Sequence, residues 1–343
     1  MSFLPFLVSL LMLFSADIPV NEITPPTRQL EGPGAATYVH EAVCPYDFAE
    51  AEDGYWLFEP DQPRPKEAPV VVFMHGYGAY NPMVYGGWIR HLVRKGNTVI
   101  YPRYQENLFS PRPEVFAANA AVAIRNALKK LKEADFVDAA DRPLIMVGHS
   151  YGGTITAQLA VEFEKYAIPQ PKGIFLCAPG TGPLLGGRLE SYEAMPADTK
   201  MLIMVSHNDH IVGDEFAKLV FETAKNTPER NLLRHYTDDH GEPAIETYHN
   251  GPYALDYSLD MGLYNLTTWR AKKVSKLDAA DWYGYWKLLD GLMNCTWAGT
   301  DCAYAFGDTP QQKNLGQWSD GTPVRPLKVT LPTSPSVASS EED

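Results

Sequence analysis

Short apolar runs alternate with amphipathic segments through most of the chain. From residue 69 onward the runs are apolar on both faces, as in "PVVVFMHG" and "RPLIMVGHS", whereas segments such as "VYGGWIRHLVRKG" carry apolar residues at helical spacing. Strands that are apolar on both faces and alternate with helices are typical of a parallel sheet covered on two sides. The pattern therefore predicts an α/β fold, with a mostly parallel central sheet and helices on both faces.

The predicted elements follow one another in a regular order. Two N-terminal segments, residues 36–48 and 53–60, are expected to add antiparallel edge strands. The predicted parallel strands cover residues 69–76, 97–104, 142–150, 172–180, 200–209 and 231–241, and the predicted helices cover residues 84–96, 114–134, 152–167 and 214–225. We expect them to form a single domain over residues 35–307.

Composition and charge exclude one class of partner. The chain has 343 residues, of which 45% are hydrophobic, and its net charge is −13. The short stretch "ALKKLKEA" is basic. Because nucleic-acid phosphates require a larger footprint of Lys and Arg, no nucleic-acid partner is expected.

The two ends of the chain differ from the middle. Residues 1–20 form an apolar run too short for a stable membrane span, and its small residues near Ser15 and Ala16 are typical of a secretory signal. No Lys or Arg precedes the run, and an uncleaved short anchor is the alternative. We expect a secreted or periplasmic protein, or a membrane-anchored one if the signal is not cleaved. Residues 308–343 are expected to form an extension that is disordered from about residue 331.

Four cysteines fit an exported protein. Cys295 and Cys302, close together in "CTWAGTDC", are candidates for a disulfide. Cys177 lies in the apolar stretch "GIFLCAPG" and is expected to be a buried thiol, whereas Cys44 has no predicted role. The alternative is a cytosolic protein with four reduced cysteines.

One serine stands where a predicted strand meets a predicted helix. In "VGHSYGG", Ser150 lies between Gly148 and Gly152, which gives Gly-x-Ser-x-Gly. In such a nucleophile elbow the serine takes a strained backbone conformation, and the glycines let the strand and the helix pass close together. Its hydroxyl is then exposed at the carboxyl end of the sheet. The motif predicts a nucleophilic serine.

With "GHSYGG" after a strand, residues 35–290 resemble the α/β-hydrolase superfamily. The resemblance implies a Ser–acid–His triad in that chain order, with the acid after the next-but-one strand. Asp209, at the end of "KMLIMVSHND", is the acid that fits. Asp214 is the alternative, but it stands where the following helix needs an N-cap.

The resemblance places the histidine after the last strand. His240, in "HYTDDHGEP", lies at the end of the predicted strand, so it is the preferred candidate. His249, in "ETYHNGP", is the competitor. Asp238 and Asp239 are expected to orient the loop or simply to be solvated.

The resemblance also implies an oxyanion hole made by two backbone N–H groups. One belongs to Tyr151, the residue after the nucleophile, and the other most plausibly to Tyr77 in "HGYGAYNP". An aromatic segment follows His240, and its side chains are expected either to line the substrate site, with Tyr77, Tyr253 and Tyr257 as binding residues, or to pack the segment onto the domain. Residues 181–199 leave room for a small cap.

Together these residues predict a serine hydrolase that cleaves carboxylic esters through an acyl-enzyme, with Ser150, Asp209 and His240 as the triad. The same machinery serves thioesterases, acyltransferases and peptidases, and an inactive binding protein on this fold is the alternative from another class. No metal ion and no organic cofactor is implied. The expected partner is a small-molecule ester, and the pattern says nothing of the oligomeric state.

Overall fold

The computed structural model describes residues 22–109, 111–184 and 186–333. The predicted signal segment, residues 1–20, lies outside the described residues, as does most of the tail predicted to be disordered. None of the helices within the described ranges is both long and apolar enough to cross a membrane.

Nine of the described strands form one sheet, and two short ones form a separate pair. The strands are β1 (Ala42–Phe48), β2 (Tyr55–Asp61), β3 (Glu67–Ala68), β4 (Val70–Met74), β5 (Thr98–Pro102), β6 (Asp138–Ala139), β7 (Leu144–His149), β8 (Pro171–Cys177), β9 (Lys200–Ser206), β10 (Arg230–His235) and β11 (Lys328–Thr330). The order in the large sheet is β1-β2-β5-β4-β7-β8-β9-β10-β11.

The middle of this sheet is parallel and its edges are antiparallel. The six strands β5, β4, β7, β8, β9 and β10 run parallel to one another, as the apolar pattern predicted. At one edge β1 and β2 are antiparallel, and at the other β11 pairs antiparallel with β10. The predicted fold class is therefore confirmed.

Helices cover both faces of the sheet. They are α1 (Gly86–Arg94), α2 (Phe116–Lys130), α3 (Tyr151–Val161), α4 (Glu215–Thr223), α5 (Leu266–Val274), α6 (Trp286–Ala298), α7 (Cys302–Ala305) and α8 (Pro310–Lys313). A π-helical turn, Ala280–Tyr285, leads into α6. Alternate residues of β4 point to opposite faces, so that Phe73 packs with α1 and α6 while Val72 packs with α2, α3 and α4.

The fold continues past the predicted boundary at residue 307. Strand β11 completes one edge of the sheet, and four apolar side chains of this segment are buried in the core with α6: Leu315, Trp318, Val324 and Leu327. The described part of the predicted extension is therefore an integral part of the domain, and the expected boundary is corrected.

A buried lysine holds this C-terminal segment to α6. The ammonium of Lys287 donates to the carbonyl oxygens of Gln311, Gln312 and Asn314 at 3.0, 3.0 and 2.6 Å. Burial lowers the pKa of Lys287 to about 7. The three acceptors match the three N–H donors of an ammonium group, so the side chain links the segment to the helix at several points.

We expect Lys287→Met to lower the free energy of unfolding by about 2–4 kcal/mol, because it leaves buried carbonyls without their donor. Thermal denaturation of the purified protein checks this. The matched control is Lys129→Met, which removes an exposed ammonium from α2. Equal melting temperatures for the two variants would contradict the role given to Lys287.

The cysteines are arranged as the sequence predicted. Cys295 and Cys302 form a disulfide between α6 and α7, with their Cα atoms 4.6 Å apart. Cys177 is a buried free thiol in β8, and burial raises its pKa. Cys44 is a half-buried free thiol in β1.

Candidate active site

The glycines around Ser150 are required by close packing. Ser150 lies between β7 and α3 with φ 54° and ψ −123°, a strained conformation for a residue with a side chain. A Cβ atom at Gly148 would lie 2.4 Å from the carbonyl oxygen of Gly152, and one at Gly152 would lie 2.2 Å from that of Met74. Any larger residue would separate the strand from the helix, so the turn depends on both glycines.

Three polar side chains meet at this turn. The Nε2 atom of His249 lies 2.9 Å from Oγ of Ser150, and its Nδ1 atom lies 2.8 Å from Oδ2 of Asp209. All three residues are buried, with less than a tenth of each exposed. With Nδ1–H donating to the carboxylate, Nε2 is left as an acceptor for the serine hydroxyl.

The carboxylate of Asp209 is fixed by its own loop. Its Oδ1 atom accepts the backbone N–H groups of Ile211 and Val212 at 2.9 and 3.0 Å. Burial alone would raise the pKa of Asp209, but the hydrogen bond from His249, its electrostatic attraction to the carboxylate and these two N–H groups lower it. The group is therefore held as an anion facing Nδ1 of His249.

His240 is not part of this arrangement. Its Nε2 atom lies 2.9 Å from Oδ2 of Asp320, and its ring packs against Trp318 with 5.8 Å between the centroids. More than a third of its side chain is exposed. The preference for His240 is therefore corrected on geometry, because the histidine that contacts Ser150 and Asp209 is His249.

A short hairpin explains the difference. After β10 the chain turns back on itself, and Asp238 and Ile245 exchange backbone hydrogen bonds of 3.0 and 2.9 Å. A side-chain contact joins the next pair, since the hydroxyl of Thr237 accepts the N–H of Thr247 at 3.1 Å. The hairpin places His240 beyond the strand end and returns the chain, so that His249 reaches Ser150.

The model of the alpha/beta hydrolase family matches residues 71–273, more than half of the chain. The chain belongs to the alpha/beta hydrolase family. No curated protein matches it. The matched residues run from β4 to α5 and include Ser150, Asp209 and His249. Membership in this family supports a hydrolase that acts on a small molecule. It does not identify which bond is cleaved.

In this hydrolase Asp214 serves the fold. It occupies the N-cap position of α4, as predicted, but its carboxylate makes no capping hydrogen bond. Instead it pairs with Arg234 and with Lys218, whose Nζ atom lies 3.0 Å away. These pairs tie α4 to β10 and leave Asp209 as the acid that faces the histidine.

The two residues predicted for the oxyanion hole flank the serine. Tyr151 begins α3, where backbone N–H groups lack a partner within the helix. Tyr77 follows Gly76. A Cβ atom added to Gly76 would lie 3.3 Å from Cβ of Ser150, so this turn passes close to the serine. The rings of Tyr77 and Tyr151 are 6.4 Å apart, and their hydroxyls donate to carbonyls of Leu108 and Gly186. Donation of their N–H groups to substrate stays a prediction.

The two aromatic residues predicted from the segment after His240 occupy different environments. Tyr253 is buried, and its ring packs edge-on against Tyr85 and His149 at 5.4 and 5.6 Å. These contacts agree with the alternative of packing onto the domain, and contact of Tyr253 with substrate stays a prediction. Tyr257 is largely exposed and lies beside Lys272, so the structure gives it no contact with Ser150.

A buried chain of hydrogen bonds that the sequence did not reveal supports the site. His149 lies with Nε2 2.8 Å from the carbonyl oxygen of His249 and with Nδ1 2.7 Å from the hydroxyl of Tyr85. That hydroxyl accepts the N–H of Gly76 at 3.0 Å. Burial lowers the pKa of His149 to about 3, so its ring is neutral, with Nε2–H donating and Nδ1 accepting. One chain of contacts thus joins the Gly76 turn to the backbone of His249.

We expect Tyr85→Phe to lower kcat about tenfold with little change in KM, because both ends of this chain lose their common support. Steady-state kinetics on a soluble ester measure kcat and KM separately and check this expectation. Tyr192→Phe is the matched control, since its buried hydroxyl bonds the backbone of Leu189. If both variants melt at a lower temperature than the parent and have equal kcat values, Tyr85 supports only the fold.

Proposed function

We propose that this hydrolase cleaves carboxylic esters through a Ser150–His249–Asp209 triad. The observation that carries the proposal is the contact of 2.9 Å between Nε2 of His249 and Oγ of Ser150, with Asp209 on the opposite ring nitrogen. A neutral imidazole held in this tautomer is the general base that a serine nucleophile needs.

The reaction then proceeds in two halves. Ser150 Oγ attacks the ester carbonyl while His249 Nε2 takes its proton, and the resulting imidazolium is stabilised by Asp209. The C–O bond to the alcohol breaks, His249 returns the proton to the leaving alcohol, and an acyl-serine remains. Water then attacks this ester with His249 again as base, which releases the acid and restores the serine. The backbone N–H groups of Tyr77 and Tyr151 are proposed to stabilise both tetrahedral oxyanions.

Two features bear on how the site is reached and on where the protein acts. The interval between β8 and β9, where the family resemblance predicts a cap, contains no helix among its described residues. Without a helical lid to open, the proposed hydrolysis needs no lid movement at a lipid interface. The disulfide fits the predicted export from the cytosol, since such bonds persist in oxidising compartments.

A panel of soluble substrates tests the proposed reaction. It compares p-nitrophenyl acetate and butyrate with the corresponding thioesters and anilides, each with the parent and with Ser150→Ala as blank. The proposal predicts that the oxygen esters are hydrolysed with the highest kcat/KM. Preference for thioesters or anilides would assign the triad to a thioesterase or a peptidase. The absence of any Ser150-dependent turnover would favour a binding protein on this fold.

A further inference from the structure

One surface beside the site exposes large apolar side chains. Helix α5 and the chain before it present Tyr257, Tyr264, Leu266 and Trp269, each more than half exposed. We call these four residues, together with Arg270, Lys272 and Lys273, the α5 face. Burying side chains of this size would stabilise a fold by about 1.5–3 kcal/mol each, so their grouping in solvent calls for another explanation.

The same face is basic in an acidic chain. Among the described residues Arg270, Lys272 and Lys273 have no ion-pair partner, although the whole chain carries a net charge of −13. The Nζ atom of Lys272 lies 4.8 Å from the centre of the Tyr264 ring, and that of Lys273 lies 3.8 Å from the centre of the Trp269 ring. Cations and aromatic rings are thus interleaved on one surface.

Two acidic side chains close to this face have hydrogen-bond or ion-pair partners of their own. Asp256 pairs with Arg90 at 2.7 Å, and Asp260 accepts a hydrogen bond from Asn81 at 2.8 Å. Neither makes a direct ion pair with the three cations, although Lys272 is near enough to Asp260 to help lower the pKa of that carboxyl. Three cations facing one unpaired carboxylate leave the face with a net positive charge. The face therefore offers positive charge to an anionic partner.

The α5 face adjoins the predicted oxyanion loop. The side chain of Asn265 donates to the carbonyl of Gly78 at 2.7 Å, and the hydroxyl of Thr267 donates to that of Tyr77 at 3.3 Å. A Cβ atom at Gly78 would lie 2.4 Å from both Leu108 and Thr267. Phe109, which follows Leu108, is also largely exposed. Apolar side chains thus rim the loop that lies next to Ser150.

The geometry points to the α5 face as a docking surface for an anionic lipid surface, which would bring esters carried by that surface to Ser150. Trp and Tyr favour the boundary between headgroups and acyl chains, and Lys and Arg are attracted by lipid phosphates. Interleaved aromatic rings and cations suit this boundary, where one end of each side chain is apolar and the other is wet. This inference rests on the proposed function. It identifies a lipid surface as the place where the protein meets its ester substrate.

Vesicle binding tests it without relying on turnover. The Ser150→Ala protein is sedimented with vesicles of phosphatidylcholine alone and with vesicles that also contain phosphatidylserine. We expect binding to the anionic vesicles that weakens as salt is raised, and a loss of affinity of about thirtyfold in the double variant Lys272→Gln, Lys273→Gln. Trp269→Ala is expected to weaken binding to the anionic vesicles as well.

The control removes the same charge elsewhere. Lys129→Gln with Lys132→Gln neutralises two exposed lysines of the α2 region and should bind as the parent does. Since all variants share residues 1–21, any contribution of that segment cancels. Equal loss in both double variants, or no binding to anionic vesicles, overturns the inference. A dimer in solution that Trp269→Ala dissociates also overturns it, and assigns the face to a second copy of the chain. Vesicle binding without ester hydrolysis would instead refute only the proposed function.

Discussion

Replacement of Ser150 by alanine is expected to lower kcat on p-nitrophenyl butyrate by about 10⁴- to 10⁶-fold. The loss is large because the proposed reaction forms its covalent bond at Oγ, and no other hydroxyl lies within reach of His249 Nε2 in the contacts of the described chain. Residual hydrolysis would come only from the oxyanion donors and from substrate binding. Steady-state kinetics with the purified variant measure the change.

The same substitution should leave the fold intact. Alanine keeps the Cβ atom and removes one oxygen, and the backbone hydrogen bond from Ser150 N–H to the carbonyl of Cys177, 2.9 Å long, does not involve the side chain. The melting temperature should therefore stay close to that of the parent. A folded Ser150→Ala protein that retains activity within tenfold of the parent would contradict the assignment of the nucleophile.

The second large effect separates two histidines that are nine residues apart. His249→Ala should lower kcat by about 10⁴- to 10⁶-fold, because it removes the base proposed to take the serine proton. His240→Ala should leave kcat within about threefold of the parent, since it removes a partly exposed contact to Asp320. Kinetics of the two variants on the same ester decide the ranking.

His240→Ala is also the control for His249→Ala, because both remove one imidazole from the same stretch of chain. His249 is buried and His240 is not, so melting temperatures must accompany the kinetics. If His249→Ala is folded and active while His240→Ala is inactive, the arrangement of the site is misread.

Most of the sheet could be predicted from the sequence because its strands are apolar on both faces. The segment 69–76 contains β4 (Val70–Met74), and 142–150 contains β7 (Leu144–His149). Some predicted strands extended beyond the observed strand ends, because they included turn residues such as Gly76. The elbow was equally clear, since tight packing leaves few residue types for Gly148 and Gly152.

The histidine that contacts Ser150 could not be predicted from distance along the chain. The strand end at His235 correctly marked the region, but the hairpin closed by Asp238 and Ile245 has no strong sequence signal. The hairpin adds residues between the strand end and His249, but the chain returns close to the point where it left the strand. A candidate chosen by its closeness to the strand in sequence therefore fell on His240.

The C-terminal strand was missed for a related reason. Leu315, Trp318, Val324 and Leu327 have no regular spacing and stand among polar residues, so no helix or strand pattern is visible. Their burial depends on contacts with distant parts of the chain, including the hydrogen bonds of Lys287. Such tertiary support is invisible to local periodicity.

The most direct test of the account is covalent labelling with a fluorophosphonate, followed by peptide mass mapping. The triad predicts one modified residue, Ser150, with labelling absent in Ser150→Ala, strongly slowed in His249→Ala and unchanged in His240→Ala. Labelling at another residue, or labelling that depends on His240 and not on His249, would contradict the account.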